Sequence, residues 1–343
     1  MVRVMQIDNP WDVHDYDFPV EESEEHKLLF MLNYAVLAPS GHNTQPWKFK
    51  VEGDKVLVFA DRARALAVID PDDRELVMSC GAATFHLWVA ARRFGYNATV
   101  SLLPDPQDAD LIAVVSLGGR QEPTLNENKL FEAIFHRRTN RLPFKPQDIP
   151  ISDLESLASA VEAEGAMLDV ITGSEKRKLA ELIAEGDRIQ GGDKRFRREL
   201  AAWIHPSRSQ SRDGIPGYSA GVRDITSYAG PFMVRTFDWG EGRAARDLEL
   251  ADGSPALLVI STAGDDQMNW LKAGMALDHL LLLAHDYRLS ASYLNQPIEV
   301  EHLRQSVGEL ITQGRVPQCI LRMGYGRDLK RTPRRPVSEV LIP

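Results

Sequence analysis

The stretch Asp72-Asp73-Arg74-Glu75-Leu76-Val77-Met78-Ser79-Cys80-Gly81-Ala82-Ala83-Thr84-Phe85-His86-Leu87-Trp88-Val89-Ala90-Ala91 reads as most of a long, largely apolar helix that stops at Gly95. A second such helix spans Asp265 to Tyr287, and the two superpose without gaps at an offset of 193. Asp72 and Asp73 then meet Asp265 and Asp266. Gly81 meets Gly274, Ala83 meets Ala276, His86 meets His279, Leu87 meets Leu280 and Ala91 meets Ala284. Residue frequencies alone would give about two or three such identities, so a diverged internal duplication is expected. Gly and Ala at this spacing let two helices approach closely.

Outward from the first helix, Glu22 to Leu37 reads as a helix that stops at Ala38-Pro39-Ser40-Gly41. Trp47 to Val51 and Val56 to Phe59 read as a hairpin, and Ala98 to Leu103 and Leu111 to Leu117 as two further strands. The order helix, hairpin, helix, strands implies an α+β fold. After Gly118-Gly119 and a polar stretch to Asn128, a second set begins with a helix from Lys129 to Phe135. It continues with a strand from Ala256 to Ser261, the second long helix and a closing strand from Cys319 to Met323. Two fused copies, residues 1–120 and 121–343, are therefore expected, with an inserted segment rich in Arg, Ser and Gly at about 189–243.

The chain has 343 residues, 43% hydrophobic and 26% charged, with formal net charge −9 and pI near 5.5. That balance fits an ordinary globular core and argues against nucleic-acid or membrane-surface binding. Two cysteines, Cys80 and Cys319, make neither a disulfide framework nor a metal site. Met1 to Val20 is acidic and lacks an apolar run, and no apolar stretch is long enough to span a bilayer, so a cytoplasmic protein is expected.

Two segments carry chemistry. Pro39-Ser40-Gly41-His42-Asn43-Thr44-Gln45-Pro46-Trp47 offers backbone N–H groups, a hydroxyl and two amides, suited to the polar edge of a planar heterocycle; it also reads as a capping turn with Trp47 in the core. His136-Arg137-Arg138-Thr139-Asn140-Arg141 places three guanidinium groups beyond a helix end, a phosphate clamp or a solvated basic face. A third basic cluster, Arg331-Thr332-Pro333-Arg334-Arg335-Pro336, joins it as a phosphate partner or forms a basic tail.

The first segment resembles the PSxxNxQPW signature of FMN-dependent nitroreductases, and Arg137 to Arg141 resembles their RxSxR/K signature with Thr139 in place of serine. The order is inverted relative to ordinary members, as in the Acg-like branch, where two nitroreductase-like copies are fused. That resemblance spans roughly Leu28 to Pro336 and implies a nitroreductase-like fold in a pseudo-dimeric chain with one composite FMN site. It implies that Arg137, Thr139 and Arg141 hold the phosphate and ribityl end, with Arg334 and Arg335 as further phosphate partners. It also implies that Pro39, Ser40, Gly41 and Asn43 meet the isoalloxazine ring, with His42 stacking or simply filling space and Gln45 counted with them as cofactor-binding. Leu294-Asn295-Gln296-Pro297-Ile298-Glu299 resembles the PIEG segment, with Val300 replacing its glycine, which places Pro297, Ile298 and Glu299 near flavin N5 and O4.

The implied activity is ping-pong reduction of nitroaromatics, quinones or similar small molecules with NADH or NADPH, the flavin carrying the chemistry. In Acg-like relatives an extension such as 189–243 resembles a lid, with Ile215 or a neighbour over the ring, so a flavin-sequestering or sensing protein is the alternative. Gly217-Tyr218-Ser219-Ala220-Gly221 with Asp278 and His279 matches a serine-hydrolase pattern but lacks the strand and helix it needs. No phosphate loop, dinucleotide fingerprint or HExxH is present, and His279 and His285 lie on different helix faces. Further homodimerisation is left open.

Overall fold

Ser23 caps the first helix by accepting from the His26 N–H. That helix, α1 (Glu24–Ala35), is followed by β1 (Trp47–Glu52), β2 (Lys55–Ala60), α2 (Arg74–Arg93), β3 (Tyr96–Leu102), β4 (Leu111–Arg120) and α3 (Leu125–Ile134). The second half runs α4 (Ile151–Ala163), β5 (Met167–Ile171), α5 (Gly173–Gly192), α6 (Lys194–Trp203), α7 (Gly240–Asp252) and β6 (Ala256–Thr262), then α8 (Gln267–Asp286), β7 (Ser290–Tyr293), α9 (Glu301–Gly308) and β8 (Val316–Gly324). The structure is a computed structural model and describes residues 7–220 and 230–343.

Two four-stranded sheets result, ordered β1-β2-β4-β3 and β5-β6-β8-β7. Every neighbouring pair is antiparallel. The strand order is the same in both, and each long helix, α2 or α8, links the second strand of its sheet to the third. The duplication read from the helices is thus matched by topology.

The two copies meet where α2 crosses α8. A Cβ added to Gly274 would lie 2.0 Å from the Met78 carbonyl oxygen, and one added to Gly81 would lie 2.6 Å from the Leu271 carbonyl oxygen. At the offset of 193, Leu271 is the counterpart of Met78, so these are the two halves of one isologous contact. One turn further on, His86 Nε2 lies 3.2 Å from Asp278 Oδ2, while Phe85 stacks on His279 with centroids 4.8 Å apart. Position 278 is the counterpart of 85, and 279 of 86, so each pair repeats the other across a pseudo-twofold axis. Burial of Leu271, Leu280 and Leu282 on α8 holds the crossing together at about 1.5–3 kcal/mol per side chain.

One edge of each sheet receives a segment from elsewhere. Leu341 bridges Phe49 on β1 and Thr139 bridges Ala291 on β7, both in parallel. Leu130, Phe131, Ala133 and Ile134 of α3, with Val337 and Val340 near the chain end, pack into the first core. The helix opening the second copy in sequence therefore buries its apolar face against the first. It starts at Leu125 rather than Lys129 because Thr124 and Glu127 form a capping box. Strands β5 and β7 carry no sequence signal comparable to the others; Ser290-Ala291-Ser292-Tyr293 has weak β-propensity and is held by pairing to β8. The 189–243 segment is continuous with helices on either side, since α5 runs through Ile189 and α7 through Arg243.

Gly274→Ala drives a methyl group into the Met78 backbone and is expected to cost at least about 1–3 kcal/mol. Gly242→Ala, where nothing lies within 4 Å, is expected to be neutral or mildly stabilising. Thermal unfolding of the two variants beside the parent checks this; equal midpoints would contradict the close crossing.

Candidate functional site

The loop after α1 folds tightly because three residues in it have positive φ: His42 (49°), Asn43 (56°) and Gln45 (52°). Non-glycine residues adopt this region rarely and at a cost, and it clusters where surrounding structure dictates the geometry. Here Ser40 Oγ accepts from the Gln45 N–H (2.9 Å). Asn43 Nδ2 donates to the Gly214 (3.0 Å) and Pro333 (3.2 Å) carbonyls, and Arg334 donates to Asn43 Oδ1 (2.9 Å).

Opposite this loop, the chain leaving α3 is held extended by the Thr139–Ala291 bridge and by the Asn140 N–H donating to the Ala291 carbonyl (2.8 Å). That extension directs Arg137, Thr139 and Arg141 into a cavity of about 510 Å³ between the two halves, within the range of small-ligand sites. Helix α2 contributes Glu75, Met78, Ser79 and Ala82, one face at helical spacing. Tyr293 and Asn295 come from β7 and its exit, and Arg334 from the tail.

The electrostatics are one-sided. Arg137 and Arg334 are buried. Burial, then Arg137 and Arg138, lowers the Arg334 guanidinium to about 9. Burial, then Arg137 and Arg331, lowers Arg138 to about 10, and burial, then Arg243, lowers Arg141 to about 10. The Nε atoms of Arg137, Arg138 and Arg334 are buried without a hydrogen-bond partner. Buried like charges with open donors are unfavourable alone, and a neighbouring anion would offset that cost. His42 is pushed down to about 4 by burial and then by Arg141 and Arg243, so it adds no charge at neutral pH and is left to contact a ligand as a neutral ring.

Of the residues singled out by sequence, Pro39, Ser40, Gly41, His42, Asn43, Arg137, Thr139, Arg141 and Arg334 line this one cavity. Gln45, Arg335, Pro297, Ile298 and Glu299 lie outside its lining. Gln45 is fully buried; its amide donates to the Arg212 carbonyl (2.9 Å) and accepts from the Arg335 N–H (2.8 Å). Arg335 turns to Glu339. Ile298 belongs to a core cluster of the second half, and Pro297 lies against Gly186. Glu299 accepts from Gln190, and burial, with Glu75 nearby, pushes its carboxyl well above the usual range. Trp11, Glu75, Arg138, Tyr293 and Asn295 line the cavity without having been singled out. Arg138 stood inside the quoted basic run and Glu75 on a legible helix face, whereas nothing in the sequence marked Trp11.

The inserted segment also reaches the cavity: Gly214, Ile215, Tyr218 and Ser219 line it. It is fastened by the Gly214 N–H donating to the Asn43 carbonyl (3.2 Å) and by an Arg64–Asp213 ion pair. The hydrolase pattern does not assemble. Ser219 gives its hydroxyl to the Pro216 carbonyl (2.8 Å), Asp278 faces His86, His279 faces Glu164 (3.0 Å), and Gly221 lies outside the described residues. Among the described residues, no three of His, Cys, Asp or Glu are grouped to hold a metal ion, and no helix is long and apolar enough to cross a membrane.

No protein-family model matches the chain. It is 32% identical over 316 residues to the Mycobacterium tuberculosis protein named "Putative NAD(P)H nitroreductase Rv3131", covering 91% of this chain and 90% of that one. The chain belongs to this nitroreductase family. The nitroreductase chain is also 30% identical to the same organism's "Putative NAD(P)H nitroreductase acg" over 314 residues, 89% of this chain and 92% of that one. Among solved structures it is similar to the FMN-dependent nitroreductase NfnB from Mycobacterium smegmatis, solved in complex with NADPH. There the identity is 15% and the TM-score 0.36, over 64% of this chain and 93% of that one.

Inorganic phosphate should relieve the cationic crowding and raise the unfolding midpoint of the flavin-free nitroreductase. At a hundred times its dissociation constant the gain is about 2.7 kcal/mol. Arg334→Met should lose most of that gain in thermal scans; an equal response in parent and variant would place the anion elsewhere.

Proposed function

We propose that this nitroreductase-family chain binds one FMN in the composite cavity and is an oxidoreductase that uses NADH or NADPH to reduce small electron-poor acceptors such as nitroaromatics and quinones. The observation that carries the reading is that Arg137, Arg138 and Arg334, whose Nε atoms are buried without a partner, line one cavity together with the strained 39–43 loop. Bound FMN would supply reversible two-electron chemistry, accepting hydride from the nicotinamide and delivering it to the second substrate in ping-pong fashion.

The chain's own residues position and shield. Arg137, Arg138 and Arg334 neutralise the phosphate through charge-assisted hydrogen bonds, and Thr139 and Arg141 hold the ribityl side. Pro39 to Asn43 present amide and hydroxyl groups to the ring's polar edge, with His42 as a neutral contact. Gln45 and Arg335 act from behind, tying loop to tail. Pro297, Ile298 and Glu299 likewise anchor the segment that sets Tyr293 and Asn295 at the cavity wall. Met78, Leu277 and Ile215 keep water from the reacting face. One FMN per chain follows because the first half has no arginine signature before Leu28 and the second has no counterpart of Asn43 to Trp47.

The Gly214-Ile215 contact with the 39–47 loop favours a second reading, a lidded protein that sequesters or senses FMN with little turnover. Anaerobic addition of NADPH or NADH to the flavin-loaded chain separates the two. Rapid bleaching of flavin absorbance, restored by a quinone, is the result expected of a reductase. Flavin reduced by dithionite but by neither nicotinamide would establish the lidded reading instead.

A further inference from the structure

Among the described residues, seven basic side chains line the cavity, Arg137, Arg138, Arg141, Arg246, Arg327, Lys330 and Arg334, against a single carboxylate, Glu75. That carboxylate is already engaged by Arg74 at 3.2 Å. A surplus this large, in a chain of formal net charge −9, is local by construction and exceeds what one phosphate monoester, carrying about two negative charges, would neutralise. The cations fall into two tiers. Arg137 and Arg334 are buried, and Arg138 and Arg141 are half-buried; these form the inner tier assigned above to the flavin's phosphate and ribityl chain. Arg246, Arg327 and Lys330 are exposed at the rim, and among the described residues none of the three is ion-paired with a carboxylate.

The rim is held in place. Asn140 Nδ2 donates to the Arg327 carbonyl (3.1 Å), and Gly326 backs directly onto Asn140, where an added Cβ would lie 2.3 Å from Nδ2. Trp11 Nε1 donates to the Thr332 carbonyl (2.9 Å), and Tyr218 donates its hydroxyl to the Arg331 carbonyl (2.7 Å). Lys330 Nζ lies over the Tyr218 ring, 4.6 Å from its centroid. Arg327 and Lys330 thus stand on a loop whose backbone is tied along its length, and Arg246 on α7 lines the same cavity, so the ordering of the loop is settled before a ligand arrives.

We propose that Arg246, Arg327 and Lys330 form a second phosphate subsite, separate from that of the flavin, which selects a second ligand bearing a phosphate monoester. The inference rests on the FMN reading above. A phosphate on the reductant, the 2′-phosphate that distinguishes NADPH from NADH and is commonly met by arginine, and a phosphate on the acceptor share this chemistry.

The test uses calorimetric binding to the FMN-loaded chain, after its flavin content has been measured. Two probe pairs differ only in phosphate: NADP⁺ against NAD⁺, and 4-nitrobenzyl phosphate against 4-nitrobenzyl alcohol. The phosphorylated member of at least one pair is expected to bind roughly tenfold tighter at low salt, with the advantage shrinking as salt is added. An Arg327→Ser, Lys330→Ser double variant should bring that ratio to about one while still taking up one FMN. An advantage in the first pair assigns the subsite to the reductant, and one in the second pair assigns it to the acceptor. Equal affinities within both pairs, an advantage that survives the double variant, or no binding by any probe overturns the inference while leaving the flavin site intact. A chain that takes up no flavin overturns the proposed function, and this inference with it.

Discussion

The backbone contact between α2 and α8 at Gly81 and Gly274 sets the geometry of everything around it. Because neither position carries a Cβ, the two helices approach until carbonyl oxygens occupy the space a side chain would fill. That closeness brings Met78 and Ala82 of one half beside Leu277 of the other, and all three line the cavity. The same crossing buries the His86–Asp278 pair at zero exposure. There, burial pushes the aspartic acid up and the histidine down, so burial favours the neutral form of both groups over a pair of charges.

The long helices, both hairpin strands of the first half and the offset of 193 were legible because side-chain periodicity and small-residue spacing are local signals. Cross-chain additions were not. Nothing in Val337 to Leu341 announces that it will pair with Phe49, and nothing in Ser290 to Tyr293 announces a strand, because both depend on partners far away in sequence. The loop at Pro39 to Asn43 and the basic run at Arg137 to Arg141 were legible as chemistry. Their convergence requires α3 to pack on the first core, which only the three-dimensional structure displays. Gln45 and Arg335 have the functional groups of a binding residue, yet they bond to each other and to the Arg212 carbonyl and Glu339. Residue type alone cannot distinguish a group that meets a ligand from one that holds the loop that does.

The site stores an electrostatic imbalance. Guanidinium groups at Arg137, Arg138, Arg141 and Arg334 are packed together without a carboxylate partner among the described residues, and the lowered proton affinities of Arg138, Arg141 and Arg334 reflect burial first and then repulsion from neighbouring arginines. An acidic chain with ample carboxylates elsewhere leaves this cluster uncompensated, so an anionic ligand contributes to stability as well as to function. The inserted segment closes one wall of the same cavity through Gly214 and Ile215, which couples access to the site with packing of α6 against Leu66 and Ile69.

If the two halves together build a single flavin site, calorimetric titration of the flavin-free chain with FMN saturates at one FMN per chain. Saturation at two, or no heat of binding at all, would show that they do not.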